Sequence, residues 1–141
     1  SRVFQKVWEM AAFAGFLTGR EAAKYMKSRS EGSIFFTGAT ASLRGGSGFS
    51  AFASAKFALR AVSQSMAREL GPQGIHVAHF IIDGAIDTEF IKENFPDRYA
   101  LKEKDGILQP DAIADAYWFV HTQHRSAWTH ELDLRPYMEK F

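Results

Sequence analysis

The sequence contains no cysteine among its 141 residues, and this absence excludes disulfide bonds, thiol catalysis and cysteine-ligated zinc. Net charge is nearly absent as well, since 17 lysines and arginines stand against 16 aspartates and glutamates. Without a basic run, nothing predicts a nucleic acid or an anionic membrane as partner. No apolar run approaches the roughly 20 residues that a membrane-spanning helix needs. We therefore expect a protein of the reducing cytoplasm.

Hydrophobic residues make up 46% of the chain, which is enough to form the core of one domain. Segments with helical and strand patterns alternate along the sequence. Strands that are joined by helices of crossover length run parallel, so we predict a single α/β domain over residues 1–141. The predicted helices cover residues 3–27, 50–70 and 110–123. The predicted strands lie near residues 33–37, 75–82 and 130–134, and the charged stretch at 91–109 is predicted to be irregular.

A glycine-rich segment, "GSGFSA" at residues 46–51, matches the G-x-G-x-x-G/A pattern of dinucleotide-binding turns. A long loop separates it from the preceding strand, however. About twenty residues further on, where an acidic residue should end a strand, Glu69 lies inside a predicted helix. We interpret the match as a chance one in a flexible loop.

Histidines occur in two close pairs, and neither pair predicts a metal site. His121 and His124 are three residues apart near a helix end, but no third ligand accompanies them. A histidine near a helix C-terminus is also favoured by the helix dipole. His76 and His79 differ by an odd number of positions along a strand, so their side chains point to opposite faces.

The stretch "GFSAFASAKFALRAV" holds Lys56 among small and apolar residues, with Phe52 four positions earlier on the same helix face. A strand, a loop, this helix, another strand and a Gly-x-Ile-x-Thr turn follow one another. This order resembles the C-terminal half of the short-chain dehydrogenase/reductase (SDR) family, over essentially all 141 residues. The resemblance implies the C-terminal portion of a Rossmann-like, doubly wound parallel sheet.

The same resemblance implies a catalytic tetrad of which only Lys56 is retained. In the family the helix carries Tyr-x-x-x-Lys, and Phe52 stands where the tyrosine acts as general acid and base. Ala39, 13 residues before Phe52, stands where a serine stabilises the substrate oxygen. Ala11, in "MAAFAGFL", stands where an asparagine anchors a proton-relay water.

The resemblance also implies cofactor contacts at Lys56, Gly84, Ile86 and Thr88. The lysine would bind ribose hydroxyls, and the turn would contact the carboxamide end of nicotinamide. Asp83 stands where the family prefers proline. The family's N-terminal dinucleotide-binding half is not in this sequence, so we expect NAD or NADP to bind only if that half is supplied, and neither to bind this chain alone. We expect the 141 residues to be part of a longer chain.

Two functions follow from these expectations. One is an SDR-type NAD(P)-dependent oxidoreductase, acting on a small carbonyl or alcohol substrate and catalytically impaired. The other is a non-catalytic SDR-like binding or oligomerisation module. The resemblance implies a homodimer or homotetramer built from the first two long helices and from the last helix and strand. The cluster at residues 117–119, together with Trp128, is expected to lie in the core or in a subunit contact.

Overall fold

The computed structural model describes residues 1–140, and its centre is a three-stranded parallel sheet. The strands are β1 (Gly32–Ala39), β2 (Ile75–Ile82) and β3 (Glu131–Leu134), in the order β1-β2-β3. β2 pairs in parallel with both neighbours. The predicted parallel α/β arrangement is therefore confirmed.

Two of the six helices within residues 1–140 precede β1, one connects β1 to β2, and three lie between β2 and β3. They are α1 (Arg2–Trp8), α2 (Ala14–Lys27), α3 (Ser50–Leu70), α4 (Glu89–Asn94), α5 (Pro96–Tyr99) and α6 (Pro110–His121). A π-helical segment, Glu9–Phe13, joins α1 to α2, so the predicted first helix is continuous but contains this irregularity. Short 3-10 segments occur at Thr40–Ser42, Gly71–Gln73 and Ala100–Lys104.

The stretch that was predicted to be irregular at 91–109 instead carries most of α4, all of α5 and a 3-10 segment. Local capping explains this difference. The Thr88 hydroxyl accepts a hydrogen bond from the Ile91 amide at 3.3 Å and so caps the N-terminus of α4. Pro96 opens α5, where its missing N–H costs nothing. Helices this short carry too little periodic signal to be predicted from apolar spacing.

Two apolar layers enclose β2, all eight residues of which are buried. On one face Ile34, Phe36 and Val77 pack against Leu59 and Met66 of α3. A second cluster on the opposite face is formed by Ala78, Phe80, Ile82, Leu108 and Val120. The continuous apolar run of β2 is typical of a parallel strand that is covered on both faces.

Within residues 1–140, β1 has a strand neighbour on one side only, and α1 and α2 present much apolar surface to solvent. The exposed large hydrophobic residues of this first helical region are Val3, Phe4, Trp8, Met10, Phe13, Phe16 and Tyr25. In the same described range we find no helix whose length and apolarity would let it span a bilayer.

Candidate functional site

The carboxyl ends of β1 and β2 form the candidate functional site, because parallel strands end at the same edge of a sheet. Ala39 and Ile82 pair as the last residues of the β1–β2 register. A cavity of about 520 Å³, which we call the strand-end cavity, opens at this edge. Its lining includes Ala39, Phe52, Gly84 and Ile86. The fold thus brings four of the predicted site residues together.

Lys56 reaches the end of β1 from the second turn of α3. Its ammonium group donates a hydrogen bond to the Thr37 backbone carbonyl at 2.9 Å and lies 5.8 Å from the centroid of the Phe52 ring. The side chain is half-buried, and this burial lowers the pKa of Lys56 from its usual value. The positive charge is therefore held beside the aromatic ring, as the spacing of four on one helix predicts.

Phe52 and Ala39 bring no proton donor to the strand-end cavity. The Phe52 side chain is 39% exposed at its rim, and Ala39 contributes only a methyl group. Neither group can transfer a proton or donate a hydrogen bond to a reacting oxygen. The pair can shape an apolar surface beside Lys56, but it cannot perform acid–base chemistry.

Ala11 does not line the strand-end cavity. It is the central residue of the π-helical segment Glu9–Phe13, and such segments often occur at functional sites. Together with Lys56 and Thr37 it lines a separate space of about 540 Å³. The four tetrad positions are therefore divided between two cavities that share Thr37, a division that sequence spacing does not reveal.

The turn after β2 has a backbone conformation that requires glycine at position 84. Gly84 has a φ of 153°, and a Cβ at this position would lie 2.8 Å from the Cδ of Pro136. Ile86 forms a parallel bridge with Leu108. The Thr88 hydroxyl donates to the Ile86 carbonyl at 3.3 Å and also caps α4. Gly84 and Ile86 thus border the strand-end cavity, whereas Thr88 is engaged by the helix that follows.

Asp83 is a buried carboxylate beside the site, and sequence reasoning treated it only as a replacement for proline. Its side chain is 1% exposed. The Thr40 hydroxyl donates a short hydrogen bond to Oδ1. The guanidinium groups of Arg44 and Arg135 lie 3.9 Å and 3.6 Å from its carboxylate oxygens. An acidic residue directly after a continuous buried strand was the signal that could have revealed this cluster.

A second polar network, which sequence reasoning also missed, joins α3, β2 and β3. Arg60 donates two hydrogen bonds to Glu131, at 2.7 and 2.6 Å, and the Nδ1 of His79 lies 3.0 Å from the same carboxylate. Burial alone would raise the pKa of Glu131, but these partners hold it below its usual value. Burial lowers the pKa of His79. Its Nε2 lies so close to Gly38 that a Cβ there would approach it to 2.3 Å.

The remaining histidines have structural contacts. His76 stacks on Trp128 at 4.6 Å between ring centroids, on the face of the sheet opposite to His79, as the odd spacing predicts. The Nδ1 of His121 lies 3.0 Å from the Ser33 hydroxyl. Within residues 1–140, no group of three or more acidic or histidine side chains could hold a metal ion.

The aromatic cluster of α6 is divided between core and surface. Tyr117 stacks on Phe80 with ring centroids 3.7 Å apart, and its hydroxyl lies 2.7 Å from that of Thr37. Trp118 is 66% exposed, and Phe119 is exposed to a similar degree. Tyr117 is therefore half-buried and packs against the core, whereas its two neighbours lie on the surface of the chain.

Comparison with known proteins finds similarity to dehydrogenases and reductases. The family model described as short chain dehydrogenase matches residues 1–99. A 3alpha-hydroxysteroid dehydrogenase of Mediterraneibacter gnavus is 28% identical over 134 residues, which cover 92% of this chain and 53% of that protein. A 3-oxoacyl-[acyl-carrier-protein] reductase of Rickettsia typhi is 26% identical over 132 residues, covering 87% and 52% respectively. The chain spans about half the length of these curated relatives.

Solved structures agree in fold. A short-chain dehydrogenase from Rhodopseudomonas palustris is 55% identical, with a TM-score of 0.76 over 97% of this chain and 53% of that one. A 7 alpha-hydroxysteroid dehydrogenase complexed with NADH and 7-oxo glycochenodeoxycholic acid has a TM-score of 0.81 over 95% of this chain and 55% of that one. At 23% identity, the second comparison shows likeness of fold alone.

Proposed function

This chain belongs to the short-chain dehydrogenase family, and from that premise we propose that it is the C-terminal part of a nicotinamide-dinucleotide-binding protein whose carbonyl–alcohol chemistry is impaired. The observation that carries the proposal is that Lys56 is present, whereas Phe52 and Ala39 replace the two hydroxyl-bearing residues of the family's tetrad. Lys56 is held 2.9 Å from the Thr37 carbonyl, while Phe52 and Ala39 border the adjacent cavity without a proton donor. The nucleotide-binding half would come from residues outside this sequence.

The residues present are compatible with the nicotinamide end of NAD or NADP. Gly84 gives the turn after β2 a backbone conformation that a side chain would obstruct, and Gly84 and Ile86 border a cavity of about 520 Å³. Lys56 would bind ribose hydroxyls. Asp83 would not repel an anionic cofactor strongly, since it is buried and faces two arginines. When bound, the cofactor would supply a hydride donor or acceptor.

The missing groups are large contributors to rate in enzymes. A general acid or base typically contributes about 10²–10⁴-fold, and a hydrogen-bond donor to the developing oxyanion about 10²–10³-fold. The two act as a unit, so their contributions do not simply multiply. Loss of both at Phe52 and Ala39 supports a protein with little carbonyl reduction.

A non-catalytic SDR-like binding or oligomerisation module is the second candidate, and exposed apolar surface favours it. The helical region at residues 2–27 and the α6 residues Trp118 and Phe119 expose large side chains, more than a monomer usually leaves uncovered. We propose that these surfaces pair copies of the protein into a homodimer or homotetramer. In this case the dinucleotide would stabilise the fold without being turned over.

The test uses the full-length protein that carries this sequence. NADH and NADPH binding is followed by cofactor fluorescence, and turnover is measured with a panel of aldehydes and ketones. We expect binding, near-zero turnover and a several-fold weaker affinity in Lys56→Met. Lys27→Met, an exposed lysine at the end of α2, serves as the control. Turnover at ordinary enzymatic rates would refute the impairment, and absence of dinucleotide binding would refute the cofactor role.

A further inference from the structure

The strand-end cavity carries one charged side chain among its described lining residues. That residue is Arg44, on the loop between the 3-10 segment and α3. The rest of the lining is apolar, backbone or hydroxyl-bearing, and includes Phe49, Phe52, Ile82 and Ile86. Its volume of about 520 Å³ lies within the roughly 300–1,000 Å³ range of small-molecule sites. A ligand in this space would meet an apolar wall and a single positive charge.

The charge of Arg44 is only weakly engaged by the protein. Its Nη2 lies 3.9 Å from an oxygen of Asp83, which is beyond hydrogen-bond distance, and donates to the Lys140 carbonyl at a long 3.5 Å. Asp83 has closer partners in the Thr40 hydroxyl and the guanidinium of Arg135. Arg44 has a side chain that is 45% exposed. Most of its five donors are therefore directed to no acceptor within residues 1–140.

We propose that Arg44 binds a carboxylate, and that the substrate of this site is an apolar molecule with one carboxylate group. A guanidinium presents a planar fork of donors that matches the two oxygens of a carboxylate. One arginine balances one negative charge, whereas a phosphate monoester brings about −1.5 to −2 and would remain partly unmatched. The apolar wall excludes ligands that are polar throughout. The inference names the substrate class of the proposed oxidoreductase-like site and rests on that function.

The experiment compares two ligands of nearly the same shape in the full-length protein. Calorimetric titration measures the affinities for 4-phenylbutyrate and for its uncharged carboxamide, at low ionic strength. We expect the acid to bind about tenfold more tightly, as a partly exposed charge-assisted pair would give. The preference should disappear in Arg44→Met and fall at high salt. Arg68→Met is the matched control, since Arg68 is exposed near the far end of α3.

The outcomes separate this inference from the proposed function. Equal affinity for the acid and the amide, or an acid preference that survives Arg44→Met, would overturn the carboxylate assignment even if NADH binds. An Arg44-dependent acid preference without any dinucleotide binding would support the assignment while refuting the proposed cofactor role. Circular dichroism of the Arg44 variant checks its fold, and Arg44→Lys, which keeps the charge, should retain part of the preference.

Discussion

Introducing two hydroxyls, through Ala39→Ser and Phe52→Tyr, should raise the carbonyl reductase activity of the full-length protein above the near-zero background that we propose for it. A tyrosine at position 52 would place its phenol near Lys56, whose ammonium now lies 5.8 Å from the Phe52 ring centroid. A neighbouring cation favours the ionised phenol and so lowers its pKa toward working pH. A serine at position 39 would add a hydrogen-bond donor to the same cavity.

The expected gain can be bounded from the structure. General acid–base catalysis is worth about 10²–10⁴-fold, but Phe52 is 39% exposed, so water screens the effect of Lys56 on a phenol there. Lys56 also already donates to the Thr37 carbonyl. We therefore expect Phe52→Tyr to give about 10²-fold over background, and Ala39→Ser to add about tenfold to that, below the usual value for an oxyanion donor.

The assay follows oxidation of NADPH or NADH with a panel of ketones and aldehydes, using the wild-type protein, each single variant and the double variant. Phe57→Tyr is the control, since Phe57 is on the same helix, is 42% exposed and does not line the strand-end cavity. A double variant that folds, binds dinucleotide and stays inactive would refute the reasoning. So would a gain of the same size in the Phe57 variant.

Other predictions concern the scaffold. Gly38→Ala should destabilise the protein by about 1–3 kcal/mol in urea unfolding, because its Cβ would lie 2.3 Å from the Nε2 of buried His79; a change below the error of the fit would contradict this. Arg60→Met should cost about 1–3 kcal/mol at pH 7 by removing two hydrogen bonds to Glu131. The folded-state pKa of Glu131 is lowered, so this contribution is present above the usual value of 4.5 and is lost as the pH falls through the folded-state pKa. The difference in stability between wild type and variant should therefore shrink as the pH is lowered below 4.5. Trp118→Glu should shift sedimentation of the full-length protein toward the monomer, and an unchanged profile would exclude α6 from the contact.

The sequence by itself determined the order of the long helices and strands and the parallel sheet. Both follow from local chemistry, since periodic apolar spacing defines the helices and the uninterrupted apolar run of β2 requires cover on both faces. The shared face of Phe52 and Lys56 follows from helical geometry alone. Gly84 and Ile86 border the cavity because they directly follow a strand whose carboxyl end lies at the functional edge. These features depend on residues close together in the chain.

Only the tertiary structure decided which distant polar groups meet. The hydrogen bond from Thr40 to Asp83 and the network of Arg60, Glu131 and His79 join residues that lie far apart in sequence. Those contacts depend on the strand register and on the position at which α3 packs against the sheet. A one-residue shift of register would turn the side chain of His79 to the opposite face. Side-chain periodicity gives the face on which a residue lies, but the packing of separate elements decides its partner.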